Sequence, residues 1–225
     1  MENIEKSLKA LQDGSFILVH DSSGREDETD LIVAAEKITP AHVRTMRNEG
    51  GGLICTALAK DLAEKLSLVF IQDIYQAAAK SFQILPELKA DDIPYDEKSS
   101  FSITVNHRKT FTGITDTDRA LTIRELAYIA KAEPNPQAFG LNFRTPGHIP
   151  LLISSGLGKR EGHTELSIGL LEMAGLTQVS VVCEMMDDET FKALTAEKAK
   201  AYAEKNGLVF LEGSEILNAY EKWRR

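Results

Sequence analysis

The stretch Phe16-Ile17-Leu18-Val19-His20-Asp21-Ser22-Ser23-Gly24-Arg25-Glu26-Asp27-Glu28-Thr29-Asp30-Leu31-Ile32-Val33-Ala34-Ala35 places two apolar runs of strand length on either side of a polar segment. Runs of this length, bounded by turn-forming residues, predict strands over 16–20 and 31–35 joined by a loop. Upstream, Ile4, Leu8 and Leu11 recur at helical spacing and end at Gly14, which predicts a helix over 3–13. Downstream, Thr39-Pro40 supplies an N-cap and a first-turn proline, and Gly50-Gly51-Gly52 stops the helix they begin. Further strand-length runs lie at 53–58, 101–105, 151–154, 179–184 and 208–211. Thr122-Ile123-Arg124-Glu125 reads as a capping box, with Leu121 and Leu126 as its hydrophobic staple. It predicts a helix from 123 to about 132, ended by Pro134 and Pro136. Helical segments over 164–174 and 195–206 are closed by Gly175 and Gly207.

Strands and helices mix along the whole chain without a composition shift, a repeat or a Gly/Ser linker. This predicts one α+β domain over 1–225, a mixed sheet covered by helices. Residues 86–98, with two prolines and a cluster of acids, read as a long surface loop, and such loops inside compact domains are often functional or mobile.

The 225 residues carry 26 Lys+Arg against 34 Asp+Glu, a net charge of −8. That balance excludes the broad basic face that non-specific nucleic-acid or anionic-membrane binding needs. The charge is local. Residues 21–30 hold five acids and one arginine, or −4, and residues 87–98 hold five acids and two lysines, or −3. A divalent cation in the first loop would neutralise most of its charge, so an anionic ligand stays compatible with the composition. Two cysteines, Cys55 and Cys183, are too few for a disulfide scaffold and fit a reducing cytosol. Residues 1–14 are amphipathic with charges throughout, unlike a signal peptide or a membrane span. A soluble cytoplasmic protein is expected.

The acidic loop concentrates oxygen ligands of the kind hard cations take, though Arg25 and the spacing rule out an EF-hand. A solvated polar turn is the plainer alternative, but so much like charge between two buried strands repels itself. Arg160-Glu161-Gly162-His163-Thr164-Glu165 precedes a predicted helix. Gly162 lets backbone approach a ligand, free N–H groups follow, Arg160 can grip phosphate, and His163 is a possible metal ligand. Alternatively Thr164 is only an N-cap and His163 a surface residue. Gly147-His148 sits in a predicted turn, either as a functional pair or as a tight turn with an exposed histidine. The strand over 179–184 ends on Glu184, either at a solvated sheet edge or as a placed acid or base. Cys55, inside an apolar run, is more often a small buried hydrophobe than a nucleophile.

Taken together, Arg25-Glu26-Asp27-Glu28-Thr29-Asp30, Thr112-Gly113-Ile114-Thr115 with Asp118-Arg119, Pro146-Gly147-His148, Gly162-His163-Thr164-Glu165 and Cys183-Glu184 resemble, in order, the motifs of the 3,4-dihydroxy-2-butanone 4-phosphate synthase family. The resemblance runs from about residue 4 to residue 217. It implies a three-layer α+β sandwich around a mixed, twisted sheet, a homodimer with sites near the interface, and conversion of D-ribulose 5-phosphate to formate and a four-carbon phosphosugar with Mg²⁺. It further implies that Glu26 and His163 are metal ligands, that Arg25, Asp30 and the loop Arg160, Glu161, Gly162, His163 and Thr164 contact substrate, and that His148 and Glu184 are essential. Asp21, Cys55 and Thr112 match further active-site positions.

The chain departs from the family pattern at Thr29, where bacterial members usually have Gly, and at Glu161, where many have Gly. It also carries the acidic segment Pro94-Tyr95-Asp96-Glu97 in place of an Asn-Thr-rich stretch. Ending at Arg225, it leaves no room for the GTP cyclohydrolase II domain of bifunctional members, so a monofunctional form is expected. In the chemistry so implied, a divalent ion steadies the enediol formed beside the sugar carbonyl, and Mn²⁺ is expected to substitute because histidine is an unusual Mg²⁺ ligand. Glu184, His148 and Asp21 are the candidates for proton transfer. Two other readings remain: a metal-dependent phosphosugar isomerase or aldolase, which would release no formate, and an RNA- or nucleotide-binding module of similar fold, for which the basic patch is missing.

Overall fold

The computed structural model describes residues 2–132 and 134–225. Helix α1 (Glu2–Asp13) leads into strands β1 (Ile17–His20) and β2 (Thr29–Ala34). A 3-10 turn and helix α2 (Pro40–Thr45) follow, and α2 widens into a π turn over Met46–Gly50. Strand β3 (Cys55–Leu58) precedes helices α3 (Lys60–Lys65), α4 (Ile71–Ala78) and α5 (Ile84–Glu87), then strand β4 (Phe101–His107). Helices α6 (Asp116–Lys131) and α7 (Pro136–Asn142) lead to strand β5 (Phe143–Ile153), helix α8 (His163–Met173) and strand β6 (Val179–Glu184). A small hairpin, β7 (Met186–Asp187) with β8 (Lys192–Ala193), precedes helix α9 (Ala196–Asn206), strand β9 (Val209–Glu212) and helix α10 (Gly213–Trp223).

Seven strands form one mixed sheet in the order β4-β5-β3-β6-β2-β1-β9. Its two faces follow from strand alternation, because residues paired across strands share a face and their chain neighbours take the other. Val19, Asp30 and Glu184 form one such row, and Ile32, Val182 and Cys55 the next. Ser180 lies on the same face and its hydroxyl meets that of Ser167 on α8 at 2.7 Å, so α8 covers this face, with α1 and α10 packed against it. Cys183 points the other way, its sulfur 3.6 Å from the Met46 carbonyl, toward α6 and α2. Phe210 shares that second face through its pairing with Leu18, and Lys200 of α9 lies over its ring. The architecture is therefore a three-layer α+β sandwich.

Both sheet faces are dry. Ile17, Leu18, Leu31, Ile32, Ile149 and Leu151 have no more than 2 % exposure, and Ile123 and Leu126 of α6 are buried in the same core. Each such side chain contributes about 1.5–3 kcal/mol by leaving water. Helix α8 is buried from His163 to Leu171, unlike the amphipathic α1. That burial carries its first residue, a histidine, into the interior.

Local expectations hold where side-chain chemistry was decisive. Thr39 caps α2 with Pro40 behind it, and Thr195 caps α9, which Gly207 ends in a left-handed conformation. The capping box at Thr122 is a correction. Helix α6 begins about two turns earlier, with Thr115 as N-cap accepting from the Asp118 N–H, and Thr122 is buried in its middle. There the Thr122 hydroxyl accepts from the His107 N–H at 3.0 Å, a tertiary bond that no local pattern announces. Pro136 does not merely end a helix but opens α7 at its first turn behind the cap Asn135. The strand expected over 151–154 starts at Phe143, so the expected turn at 144–148 is part of β5, with a cis Thr145–Pro146 peptide. Helix α8 starts at His163 with Gly162 as its N-cap residue, so Thr164 is not the cap. Residues 88–98 carry no helix or strand, in keeping with the expected loop, although its first residues 86–87 end α5.

Candidate active site

The loop between β1 and β2 folds around Asp21. Its buried carboxylate accepts the backbone N–H of Glu26 at 3.2 Å and of Glu28 at 3.1 Å, while its own N–H reaches the Glu28 carbonyl. A short loop dense in like charge is thereby held by its own peptide groups. The result aims Glu26 at His163, whose Nδ1 lies 3.4 Å from the Glu26 carboxylate. The other ring nitrogen, Nε2, lies 3.7 Å from Asp30 at the start of β2.

This is a buried cluster of interacting charges. Burial opposes a charged imidazole, but the carboxylates of Asp30, Glu26 and Asp21 outweigh it and raise the His163 pKa. Burial raises the Asp30 carboxyl, against the pull of His163 and with the help of Glu184, Glu26 and Glu28. For Glu26, burial is overcome by His163 and by Arg25 and Arg160, so its pKa falls. Glu28 is raised by burial and by the charges of Glu26 and Glu184.

Glu184 ends β6 beside Asp30, its register partner. One carboxylate oxygen accepts the Leu53 N–H at 2.8 Å, and the Glu184 carbonyl accepts the Gly52 N–H. Gly52 must be glycine here, because a Cβ would lie 2.4 Å from the Glu184 carboxylate and 2.7 Å from its backbone oxygen. The π turn and the Gly50-Gly51-Gly52 run thus deliver a peptide strap against the acid. Cys55 lines the same cavity with 2 % exposure. Burial, then the Glu184 and Asp30 charges, push its thiol far above the ordinary range, so it stays protonated.

Arg160 lines the opposite wall, and Arg25 meets it at Asp96. Arg160 donates to Glu165 at 2.7 Å and through Nε to Asp96, and Arg25 donates to the same Asp96 oxygen at 3.2 Å. Glu165, fully buried, also accepts the Ser155 N–H and so orients Arg160. Gly162 has no side chain because a Cβ would fall 2.6 Å from Arg160 Nη1 and 2.7 Å from Arg25 Nη1. The cavity itself is lined by Glu26, Asp30, Cys55, His163, Thr164 and Glu184 on the protein side, and by Ile93, Tyr95 and Asp96 from the 88–98 loop.

Three expected positions lie elsewhere. Glu161 is exposed and outside the cavity lining, because the chain turns into α8 only after it. His148 and Thr112 are also exposed and outside it. They belong to a second cluster on β4 and β5, where Asn106 accepts the His148 N–H at 2.8 Å and its amide lies 3.0 Å from His148 Nδ1. Thr112 and the Gly113 N–H both donate to Asp118 at the start of α6.

A divalent cation fits the first cluster. One ligand atom from each of Asp21, Glu26 and His163 lies within 4.8 Å of the others. Asp30 Oδ1 and His163 Nε2 are buried without a hydrogen-bond partner, as expected of atoms that a further ligand completes. Few carboxylates with room for water and substrate oxygens are what a small hard ion takes.

The family profile described as 3,4-dihydroxy-2-butanone 4-phosphate synthase matches residues 5–219. The chain belongs to this family. A synthase of that name from Methanothermobacter thermautotrophicus (strain Delta H) is 52% identical over 223 residues, 98% of this chain and 97% of its own. A solved 3,4-dihydroxy-2-butanone 4-phosphate synthase in a cation-free form superimposes with a TM-score of 0.79 at 27% identity, covering 99% of this chain and 98% of its own. Another, in complex with two magnesium ions, gives 0.78 at 27% identity, over 97% and 96%. For a member of the synthase family, sequence reasoning missed Asp96, Glu165 and Asn106 as groups that hold the expected ones. Asp96 had a signal, the acidic composition of its loop. Glu165 stood in the Gly162-His163-Thr164-Glu165 motif without a role of its own, and Asn106 had no signal, since the partners of both are set by packing.

Proposed function

We propose that this chain is a lyase of riboflavin biosynthesis that converts D-ribulose 5-phosphate to formate and L-3,4-dihydroxy-2-butanone 4-phosphate. The observation that carries the reading is the convergence of Glu26, Asp30, His163 and Glu184 on one cavity lined by Arg160, with Arg25 bound to the lining residue Asp96. Formic acid and the four-carbon product together contain the same atoms as the substrate, so the reaction needs acid, base and a cation but no oxidant. Mg²⁺, with Mn²⁺ as a substitute, would sit on Glu26 and His163 with Asp21 beside them. Bound there it supplies Lewis-acid polarisation of the substrate carbonyl and hydroxyls.

The chain's own groups divide the remaining work. Glu184, fixed by the Leu53 N–H on one oxygen, keeps the other for a proton next to the carbonyl. Asp30, whose carboxyl burial pushes toward its protonated form, is placed to take up and return a proton. Asp21 keeps the loop in shape. Cys55 acts as a protonated wall of the pocket. The phosphate takes Arg160, Arg25 and the free N–H groups that open α8 at Gly162, His163 and Thr164, where no side chain caps the helix.

His148 and Thr112 complete the site from a second copy of the chain. The groove between α4 and β4 beside them is apolar, lined by Ile71, Tyr75, Leu85, Leu88, Ile103 and Pro146, and Phe111 is 93% exposed. A homodimer formed over this face would cover it and bring His148 into the partner's cavity. Residues 1–225 then work as one domain in the cytoplasm; among the described residues no helix is long and apolar enough to cross a membrane. The deciding experiment is incubation with D-ribulose 5-phosphate and Mg²⁺ followed by a formate assay. Formate in step with substrate loss is expected; an isomer or aldol fragments without formate would replace this reading with the isomerase or aldolase one.

A further inference from the structure

Asp96 sits where an anion belongs. A single carboxylate oxygen takes both Arg25 and Arg160, and these two guanidiniums lean over Gly162 at the uncapped start of α8. Asp96, Arg25 and Arg160 retain only 14%, 11% and 16% side-chain exposure, so the charges meet largely out of water. Arg160 does not need Asp96 for orientation, because the buried Glu165 already holds it from the other side. Asp96 itself comes from a stretch, 88–98, with no helix or strand, and Tyr95 beside it lies against Arg25 with the guanidinium 5.9 Å from the ring centre. One end of this arrangement is built into the core. The other rides on a loop.

We infer that Asp96 is a specificity-determining residue that occupies the phosphate subsite as an internal anion and is exchanged for the phosphate of the substrate. The inference rests on the reading of Arg25, Arg160 and the start of α8 as that subsite. A carboxylate carries one charge and a sugar phosphate close to two, so a phosphate displaces it where a neutral sugar or a weaker anion does not. Exchange also frees the 93–96 segment, which lines the cavity, at the moment phosphate arrives. While Asp96 holds the arginines, the binding-competent fraction is reduced, and apparent affinity for phosphate falls by that fraction.

The test uses the full chain with Mg²⁺. Inhibition by inorganic phosphate, together with KM and kcat for D-ribulose 5-phosphate, is measured for the natural protein, Asp96→Asn and Arg160→Lys. Asparagine keeps the shape of Asp96 and removes the charge, and lysine keeps a cation against Glu165 while losing the fork that faces Asp96. Asp96→Asn is expected to bind inorganic phosphate about tenfold more tightly and to lower KM by a similar factor with little change in kcat. Arg160→Lys is expected to weaken phosphate about tenfold. Unchanged or weaker phosphate binding in Asp96→Asn, while Arg160→Lys weakens it, overturns the exchange and makes Asp96 a strap over bound substrate. Unchanged phosphate binding in Arg160→Lys instead overturns the subsite reading beneath it.

Discussion

The cluster around His163 and the cluster around His148 are built from the same residue types but in opposite ways. His163 has 5% exposure, starts a helix buried along its length, and is ringed by carboxylates that its own sheet and loop supply. His148 is exposed on β5, is held by one asparagine, and faces none of those acids. Burial concentrates charge and shifts pKa values, so the first cluster has its charges arranged within one chain. Exposure leaves the second positioned but without a substrate cavity of its own, which is why the homodimer enters the functional reading.

The largest break in this contrast is Glu26→Gln. It removes the charge that faces His163 and is expected to lower Mg²⁺-dependent turnover by about a thousandfold, or about 4 kcal/mol, with an unchanged circular dichroism spectrum. Near-normal activity would remove Glu26 from the metal site. Next, His148→Ala and His163→Ala should each be nearly inactive alone. Co-expressed in equal amounts as mixed dimers, they should recover about a quarter of natural activity, because half the dimers are mixed and each has one intact site. No recovery in mixed dimers would place His148 in its own subunit's chemistry.

Gly52→Ala pushes a methyl group into Glu184. It should cost about 1–3 kcal/mol of stability in chemical denaturation and reduce kcat more than it changes KM. Cys55→Ala is expected to cost only a few-fold in kcat, with no acid–base inflection removed from the pH profile, since the thiol stays protonated. A large, pH-dependent loss would give Cys55 a chemical role. The smallest effect belongs to Asp118, whose pKa is lowered by the Gly113 N–H above all. A carboxyl depressed by folding stabilises above its unfolded value and loses that contribution as pH falls through the folded value. Asp118→Asn should therefore lower the melting temperature slightly at neutral pH, with the difference vanishing in acid.

Much of this was legible before any coordinates. The strands flanking the acidic loop, the Thr39-Pro40 start and the Gly207 stop are local decisions of the chain, made by apolar period and by capping chemistry. The motifs also located Glu26, His163, Glu184 and the arginines. What local pattern could not supply were partners distant in sequence. Thr122 looks like a cap until His107 is packed beside it, and Arg160 looks free until Asp96 and Glu165 arrive. His148 and His163 are equally plausible as isolated histidines, and only their different burial separates them.

By itself, then, the sequence determined that this is an α+β protein with acid, arginine and histidine loops at strand ends, because side-chain size and backbone propensity act over a few residues. Only the tertiary structure decided which of those loops share a cavity. Sheet register set Asp30 beside Glu184, the burial of α8 drew His163 between Asp30 and Glu26, and the 88–98 loop laid Asp96 on two arginines. Those are long-range consequences of packing one hydrophobic core, which no short stretch of residues encodes on its own.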